Sequence, residues 1–357
     1  MKKLENLCKA AIDAGREEDL HIAVYCEGEL DLDLRVTSSE ITPHADDLCP
    51  IFSCGKGVAA TAVHRLVERG ILSWDEPIAV YWPEFGCNGK EQITLRQVMA
   101  HNSGLPMMPE SCPSLGTDWE AMCAFYATAR PVHPPGEARH YHAVSYSWLV
   151  GETAHRADGR PFQQIIEEEV LAPLAIDDFF FGVPDSALTR CLDVLPPLKH
   201  HQAQADPLST DPPDEWLAIP DYVLPLEAWI HRKEVRQACI PASNGFATAR
   251  SLARHYASLV GEGVEGVRLL SEETLLQATL PAKGQASLQM PGAIGYQLRG
   301  GALEPGNVFG HGGYGGLLGI ADKKRQLGIG ILKTRMGGEL TSQILEILQA
   351  RYGSERK

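Results

Sequence analysis

The chain has 357 residues, 44% hydrophobic and 22% charged, a profile that fits a globular enzyme and excludes a disordered or membrane-spanning one. Its 46 acidic residues outnumber 32 basic ones, and the net charge of −14 argues against nucleic acid or an anionic membrane as the main partner. Nine cysteines without a Cys-x-x-Cys pair read as reduced thiols rather than a disulfide frame or zinc ribbon.

Near the N-terminus, Glu5, Asp13, Glu17 and Glu18 fall where a secretory signal would need an unbroken apolar run, so a cytoplasmic location is expected. Leu4, Leu7, Ala11 and Ile12 recur at helical spacing over residues 4–15. A hairpin is predicted next: 21–26 is a short apolar run, Glu27-Gly28 has turn chemistry, and Leu30, Leu32 and Leu34 alternate. The stretch Ile51-Phe52-Ser53-Cys54-Gly55-Lys56-Gly57-Val58 then opens a helix, continued by Ala59, Val63, Leu66 and Val67 and stopped by Gly70. From about Asp75 to Ala286 helical patterns prevail, at 95–101, 119–129, 146–155, 162–171 and 249–259. After Tyr296 the sheet signals return as apolar runs at 317–321 and 327–332, joined by a charged turn at 322–326. A last amphipathic helix aligns Leu340, Ile344, Ile347 and Leu348.

Strands at both ends and helices between predict an α/β (α+β) fold. Residues 1–75 and 287–357 would form one discontinuous antiparallel sheet domain, and 76–286 a mostly helical domain with a long proline-rich loop around 195–225. A cleft between the two is the expected site. Within the loop, residues 202–216 are too polar and broken for regular structure and are expected to border that cleft, with Trp216 as a pocket wall.

Three clusters could carry chemistry. In the first, Ser53 and Lys56 are three residues apart at a helix start and share one face, so the amine could take the hydroxyl's proton while unpaired helix N–H groups favour the alkoxide. A serine there is more often a cap, and Ser354-Glu355-Arg356-Lys357 repeats the spacing at the C-terminus, so the pair needs support from elsewhere. The second cluster, Pro135 to Ala143, carries Tyr141 just before an apolar helix, where a phenol could relay protons between serine and leaving group. His140 and His142 alternate as metal ligands would, but no third ligand is near, so neither a metal nor any other cofactor is expected. In the third, Phe309 to Gly316, glycines let backbone approach a ligand, and the N–H groups of Tyr314 and Ser53 could form an oxyanion hole. No Gly-x-Ser-x-Gly elbow occurs, and Cys54 points about 100° from Ser53 with no evident base.

In their order and spacing, Ser53-x-x-Lys56, Tyr141-His142-Ala143 and His311-Gly312-Gly313 resemble the serine beta-lactamase and penicillin-binding-protein superfamily, most of all its class C branch and the family VIII carboxylesterase type within it. Val67-Glu68-Arg69-Gly70, Ile93-Thr94-Leu95-Arg96, His101-Asn102-Ser103-Gly104-Leu105-Pro106 and Asn244-Gly245 are similar to further landmarks of that family. The resemblance implies a beta-lactamase/transpeptidase-like fold, an acyl-enzyme on Ser53, and Lys56 and Tyr141 as a coupled acid/base pair. It also implies that Gly312, Gly313 and Tyr314 line the site, with His311 where the family often has lysine and His142 and Ala143 beside the substrate. Ala143 stands in place of a substrate-binding asparagine, and His311 lacks lysine's permanent charge, so both departures favour a neutral ester over a beta-lactam. The expected function is therefore a carboxylesterase acting on small or medium acyl esters. Alternatives are a transacylase using an amine or alcohol acceptor, a D-amino-acid peptidase or amidase, a weak beta-lactamase, and a catalytically silent binding protein. The partner is a small-molecule ester or amide, and a homo-oligomer is compatible with the sequence.

Overall fold

A computed structural model describes residues 2–112, 114, 116–198, 218–282, 292–299 and 307–353. The 202–216 loop with Trp216, and the second Ser-x-x-Lys at 354–357, lie outside the described residues.

The N-terminal periodicity folds as α1, Lys2–Asp13, with Leu4, Cys8 and Ala11 buried along one face. The hairpin follows as β1, Asp19–Cys26, and β2, Glu29–Thr37, with Glu27 and Gly28 both at positive φ, as a two-residue turn between twisted strands requires. A short strand β3, Cys49–Pro50, leads to the Ser53 stretch and α2, Gly55–Glu68. The middle of the chain supplies α3 (Ile78–Tyr81), α4 (Leu95–Met99), α5 (Trp119–Thr128), α6 (Tyr146–Asp158) and α7 (Phe162–Ile166). It continues through β4 (Phe179–Phe180), α8 (Leu226–Ile230), α9 (Lys233–Gln237), β5 (Phe246–Ala247), α10 (Ala249–Ala257) and α11 (Glu272–Ala278). The chain then returns to sheet with β6 (Gln297–Arg299), β7 (Val308–Gly313), β8 (Leu317–Asp322) and β9 (Leu327–Lys333), and ends in α12, Glu339–Gly353.

The helix predicted over 162–171 is shorter than its apolar pattern suggests. Regular α-helix stops at Ile166, and Glu167–Leu171 forms a wider π-helical turn in which Glu169 is buried among Arg65, Arg69 and Arg160.

Among the described residues, six strands form an antiparallel sheet in the order β2-β1-β9-β8-β7-β6. The pairing of β1 with β9, Leu20 opposite Lys333 through Cys26 opposite Leu327, joins the two ends of the chain. Alternation sets the two faces. Leu20, Ile22, Val24, Leu318, Ile320, Ile329 and Ile331 form one core with α1 and α12. Against the opposite face lies α10, which in sequence falls inside the 76–286 stretch yet packs on β1, β8 and β9. Glycine permits that approach: a Cβ on Gly330 would stand 2.4 Å from the Ala249 carbonyl oxygen, and one on Gly328 would be 2.3 Å from that of Ala253. From this face a second core runs through Val58 and Val63 of α2 to Trp148 of α6 and Phe162 of α7. The Ser53 helix is thus buried between sheet and helices, with eleven of its residues inside. A small antiparallel sheet, β3-β5-β4, was not expected; each strand is two residues long, too short for alternation to show in sequence.

Candidate active site

Between β3 and α2 the chain is held from outside and closed on itself. The Ile51 N–H donates to the Gly245 carbonyl at 2.8 Å, and the Cys54 N–H to the Ile51 carbonyl at 3.0 Å, closing a 3-10 turn over Phe52–Cys54. Because α2 begins only at Gly55, Ser53 stands in this tight turn just ahead of the helix rather than in its first turn. Nor does Ser53 cap the helix: Cys54 holds the N-cap position, and no side chain makes a capping bond. Phe52, immediately before the serine, has φ +44°, a left-handed conformation that costs a non-glycine residue roughly 1–3 kcal/mol and persists only where its surroundings impose it. Its ring is buried and meets Tyr314 edge-on at 5.6 Å.

Turn and helix are continuous, so the expected register survives and Lys56 Nζ lies 3.2 Å from Ser53 Oγ. The lysine is fully buried, and burial holds its pKa well below that of an ordinary lysine. Two further oxygens face Nζ, the Ala143 carbonyl at 2.7 Å and the Ala242 carbonyl at 2.9 Å. Three oxygens, those of Ser53, Ala143 and Ala242, thus surround the buried amine.

Tyr141 is partly buried, with its ring centroid 4.7 Å from Lys56 Nζ. Its ring stacks on His311 at 6.1 Å and meets His101 edge-on at 4.8 Å. His311, on β7, is buried rather than at the surface. Burial, with Lys56 nearby, pushes its pKa down to about 3, so the imidazole is neutral. Its Nδ1 donates to the Gly312 carbonyl at 2.6 Å. Positive charge near it comes instead from Arg139 and Arg299, whose fields push His311 in the same direction. The Gly312 N–H donates to Gln297 Oε1 at 3.1 Å. Gly313 marks where β7 meets the Ser53 turn, since a Cβ there would lie 2.6 Å from the Ile51 carbonyl oxygen.

Tyr314 follows the end of β7 and opens a 3-10 turn over Tyr314–Gly316, and its hydroxyl donates to Glu227 Oε1 at 3.0 Å. His142 faces inward. Its Nδ1 donates to the His140 carbonyl and its Nε2 accepts from Ser103, both at 2.6 Å, so both ring nitrogens are engaged with the protein. Ala143 contributes through its backbone, because its carbonyl holds Lys56 and also accepts from Ser243 at 3.3 Å. Cys54, the serine's neighbour, is buried, and its thiol pKa is pushed up to about 12, which keeps it an inert thiol.

A family model described as Beta-lactamase matches residues 6–352. The chain belongs to the beta-lactamase family. It is 30% identical over 340 residues to the "Esterase/beta-lactamase LipL" of Mycobacterium tuberculosis, covering 88% of this chain and 76% of that one. Among solved structures it superposes on a family VIII carboxylesterase with TM-score 0.84 and 27% identity, covering 98% of this chain and 97% of the other. A penicillin-binding-protein homologue from Caulobacter crescentus aligns with TM-score 0.80 and 29% identity over 98% of this chain and 96% of that one.

Within this beta-lactamase fold the weaker sequence landmarks have structural work. Asn244 accepts from the Ile240 N–H and donates to the Val235 and Ala238 carbonyls, which shapes the turn that presents the Ala242 carbonyl to Lys56. Gly245 anchors Ile51. The His101 carbonyl accepts from the His140 N–H, and Ser103 holds His142, so the 101–103 segment sets the path of the Tyr141 loop. Sequence reasoning missed Ala242, Glu227 and the left-handed Phe52. Asn244-Gly245 was the one signal that pointed towards Ala242.

Proposed function

We propose that this beta-lactamase-family chain is a serine hydrolase that forms an acyl-enzyme through Ser53 and cleaves carboxylic esters with small or medium acyl groups. The observation that carries this reading is Lys56, buried, held by two carbonyls and 3.2 Å from the Ser53 hydroxyl. Lys56 takes the serine proton as Ser53 Oγ attacks the ester carbonyl carbon, and the carbonyl π pair moves onto oxygen. The N–H groups of Ser53 and Tyr314 receive that oxyanion, a donor pair of which each member is typically worth about a hundred to a thousandfold in rate. Collapse expels the alkoxide, which takes a proton from the coupled Lys56–Tyr141 pair, and water then releases the acid by the reverse sequence.

Gly312 and Gly313 line the strand side of the site, and His142 and Ala143 position the Tyr141 loop. A neutral His311 presents no charge of its own to a substrate carboxylate, and Ala143 has no side-chain amide; both favour esters over beta-lactams. The names of the carboxylesterase neighbour and of LipL point the same way. We take the division into a sheet domain from both chain ends and a helical domain as the frame for this site, with α2 at their boundary. A reducing, cytoplasmic setting fits nine cysteines of which none forms a disulfide. No helix among the described residues is long and apolar enough to cross a membrane.

Intact-mass measurement after incubation with a p-nitrophenyl ester or a serine-reactive phosphonate tests the reading. Wild type gains one adduct and Ser53→Ala gains none. An unlabelled wild type would sink the enzyme assignment, and a labelled variant would sink Ser53.

A further inference from the structure

Beyond Tyr314 the structure holds a cleft of about 770 Å³, within the range of roughly 300–1,000 Å³ typical of sites that enclose a small organic ligand. Ser53, Lys56, Tyr141 and His311 take no part in its lining, so it lies beside the Ser53 group rather than within it. We propose that this cleft is a separate ligand site for a small organic cation, a primary ammonium on an apolar body, with Glu227 as its counter-charge.

Glu227 decides the charge of the ligand. It lies in the first turn of α8 and is 6% exposed, yet among the described residues its carboxylate has no cationic partner. Its hydrogen bond at Oε1 comes from the Tyr314 hydroxyl, a neutral donor, and its second oxygen, Oε2, has no partner among the described residues. A carboxylate withdrawn from water without a counter-ion is costly to keep. An ammonium entering from the cleft supplies both the missing charge and a donor for Oε2.

The other four charged residues of the lining are accounted for. Glu17 pairs with Lys333 and Arg335 with Glu18, whereas Arg16 and Glu339 stand at the exposed rim with opposite charges. Buried charge without its opposite is thus confined, within the cleft, to Glu227. One carboxylate is too few ligands for a hard metal ion, and Leu198, Met336 and Leu340 in the walls suit a carbon chain. Tyr314 is the one aromatic ring among the described lining residues, so the wall lacks the cage that holds a quaternary ammonium, and N–H donors are needed instead.

Isothermal titration calorimetry with hexylammonium chloride, hexan-1-ol and sodium hexanoate tests the assignment. Wild type binds one hexylammonium, and the alcohol and the carboxylate bind at least about tenfold more weakly. Glu227→Gln keeps the shape of the side chain and an acceptor for Tyr314 but removes the charge, and weakens hexylammonium binding by about ten to a hundredfold. Ser342→Trp, which adds bulk to the cleft from an exposed position on α12 and leaves Glu227 in place, blocks the ligand by a second route. Urea midpoints near wild type separate lost binding from lost folding in both variants. Ser53→Ala binds hexylammonium as wild type does. No binding to wild type, equal binding of hexan-1-ol, or tight binding that survives both Glu227→Gln and Ser342→Trp overturns the assignment. So does binding that Ser53→Ala abolishes, which would place the amine at the serine. None of these measurements needs ester turnover, so the hydrolase reading stands or falls separately on the adduct experiment.

Discussion

At the scale of the residue, the proposed chemistry turns on the protonation of Lys56. Burial makes this lysine poor at holding a proton, and the Ala143 and Ala242 carbonyls fix Nζ beside Ser53. Lys56→Met removes the amine and leaves the Ala242 carbonyl without that donor, so kcat should fall by about a hundred to ten thousandfold and phosphonate labelling of Ser53 should slow in proportion. The pH profile separates this from a histidine mechanism. Acid protonates the base and removes the lone pair, so kcat/KM falls as pH falls. Because His311 is already neutral down to about pH 3, His311→Gln should leave the midpoint of that acid limb where it is. A midpoint that moves would mean His311 carries a charge in the working range. Ser53, Lys56 and Tyr141, which the structure brings together, were legible in sequence because their side-chain chemistry marks them. Ala242 was not legible, since a carbonyl is common to every residue and only a fold can aim it.

The elements around the site show the same division. Long periodic segments could be read directly: the 19–37 hairpin, α2, α6 and the β8–β9 hairpin fall where alternation or helical spacing places them. The two-residue strands β3, β4 and β5 could not, yet they hold the chain entering the nucleophile turn. Likewise, the packing of α10 on the sheet depends on Gly328 and Gly330, whose meaning appears only once β9 has a helix above it. The 240–244 turn is the element on which a mutation tests this architecture. Asn244→Ala leaves the buried Ile240 N–H and the Ala238 carbonyl without their Asn244 partner, a loss of about 1–3 kcal/mol that a urea titration would read as a lower midpoint at unchanged slope. The Ala242 carbonyl then loses its fixed aim at Lys56, so kcat should drop further than the small unfolded fraction explains. A variant that is destabilised but keeps full kcat would show that Ala242 does not orient the base.

For the whole molecule, the burial of His64, His101, His142, His255 and His311 brings in a second property, sensitivity to mild acid. Burial pushes the pKa of His64 down to about 4, those of His142, His255 and His311 down to about 3, and that of His101 well below the ordinary value. In the unfolded chain the same rings titrate near 6.5. Between those limits the unfolded state binds more protons than the folded one, so the stability these rings contribute is full above about pH 6.5 and is lost as pH falls towards 3–4. Each ring adds a slope of up to about 1.4 kcal/mol per pH unit, and five acting together are large against the 5–15 kcal/mol that ordinarily separates folded from unfolded protein. Carboxylates held low by their partners, such as Asp33, Glu152 and Asp158, add to the loss only below about pH 4, where unfolded carboxylates begin to protonate. Glu17 and Glu167, both raised by burial, act in the opposite sense. Thermal unfolding followed from pH 7.5 to 4.5 should therefore show Tm falling steeply below pH 6.5, well before carboxylates titrate. His255→Gln, which removes a ring bonded to Thr61 away from Ser53, should flatten that fall by about one proton's worth. A Tm that stays level across this range would mean that these rings take up protons in place, and that the interior around α2 is wetter than its packing indicates.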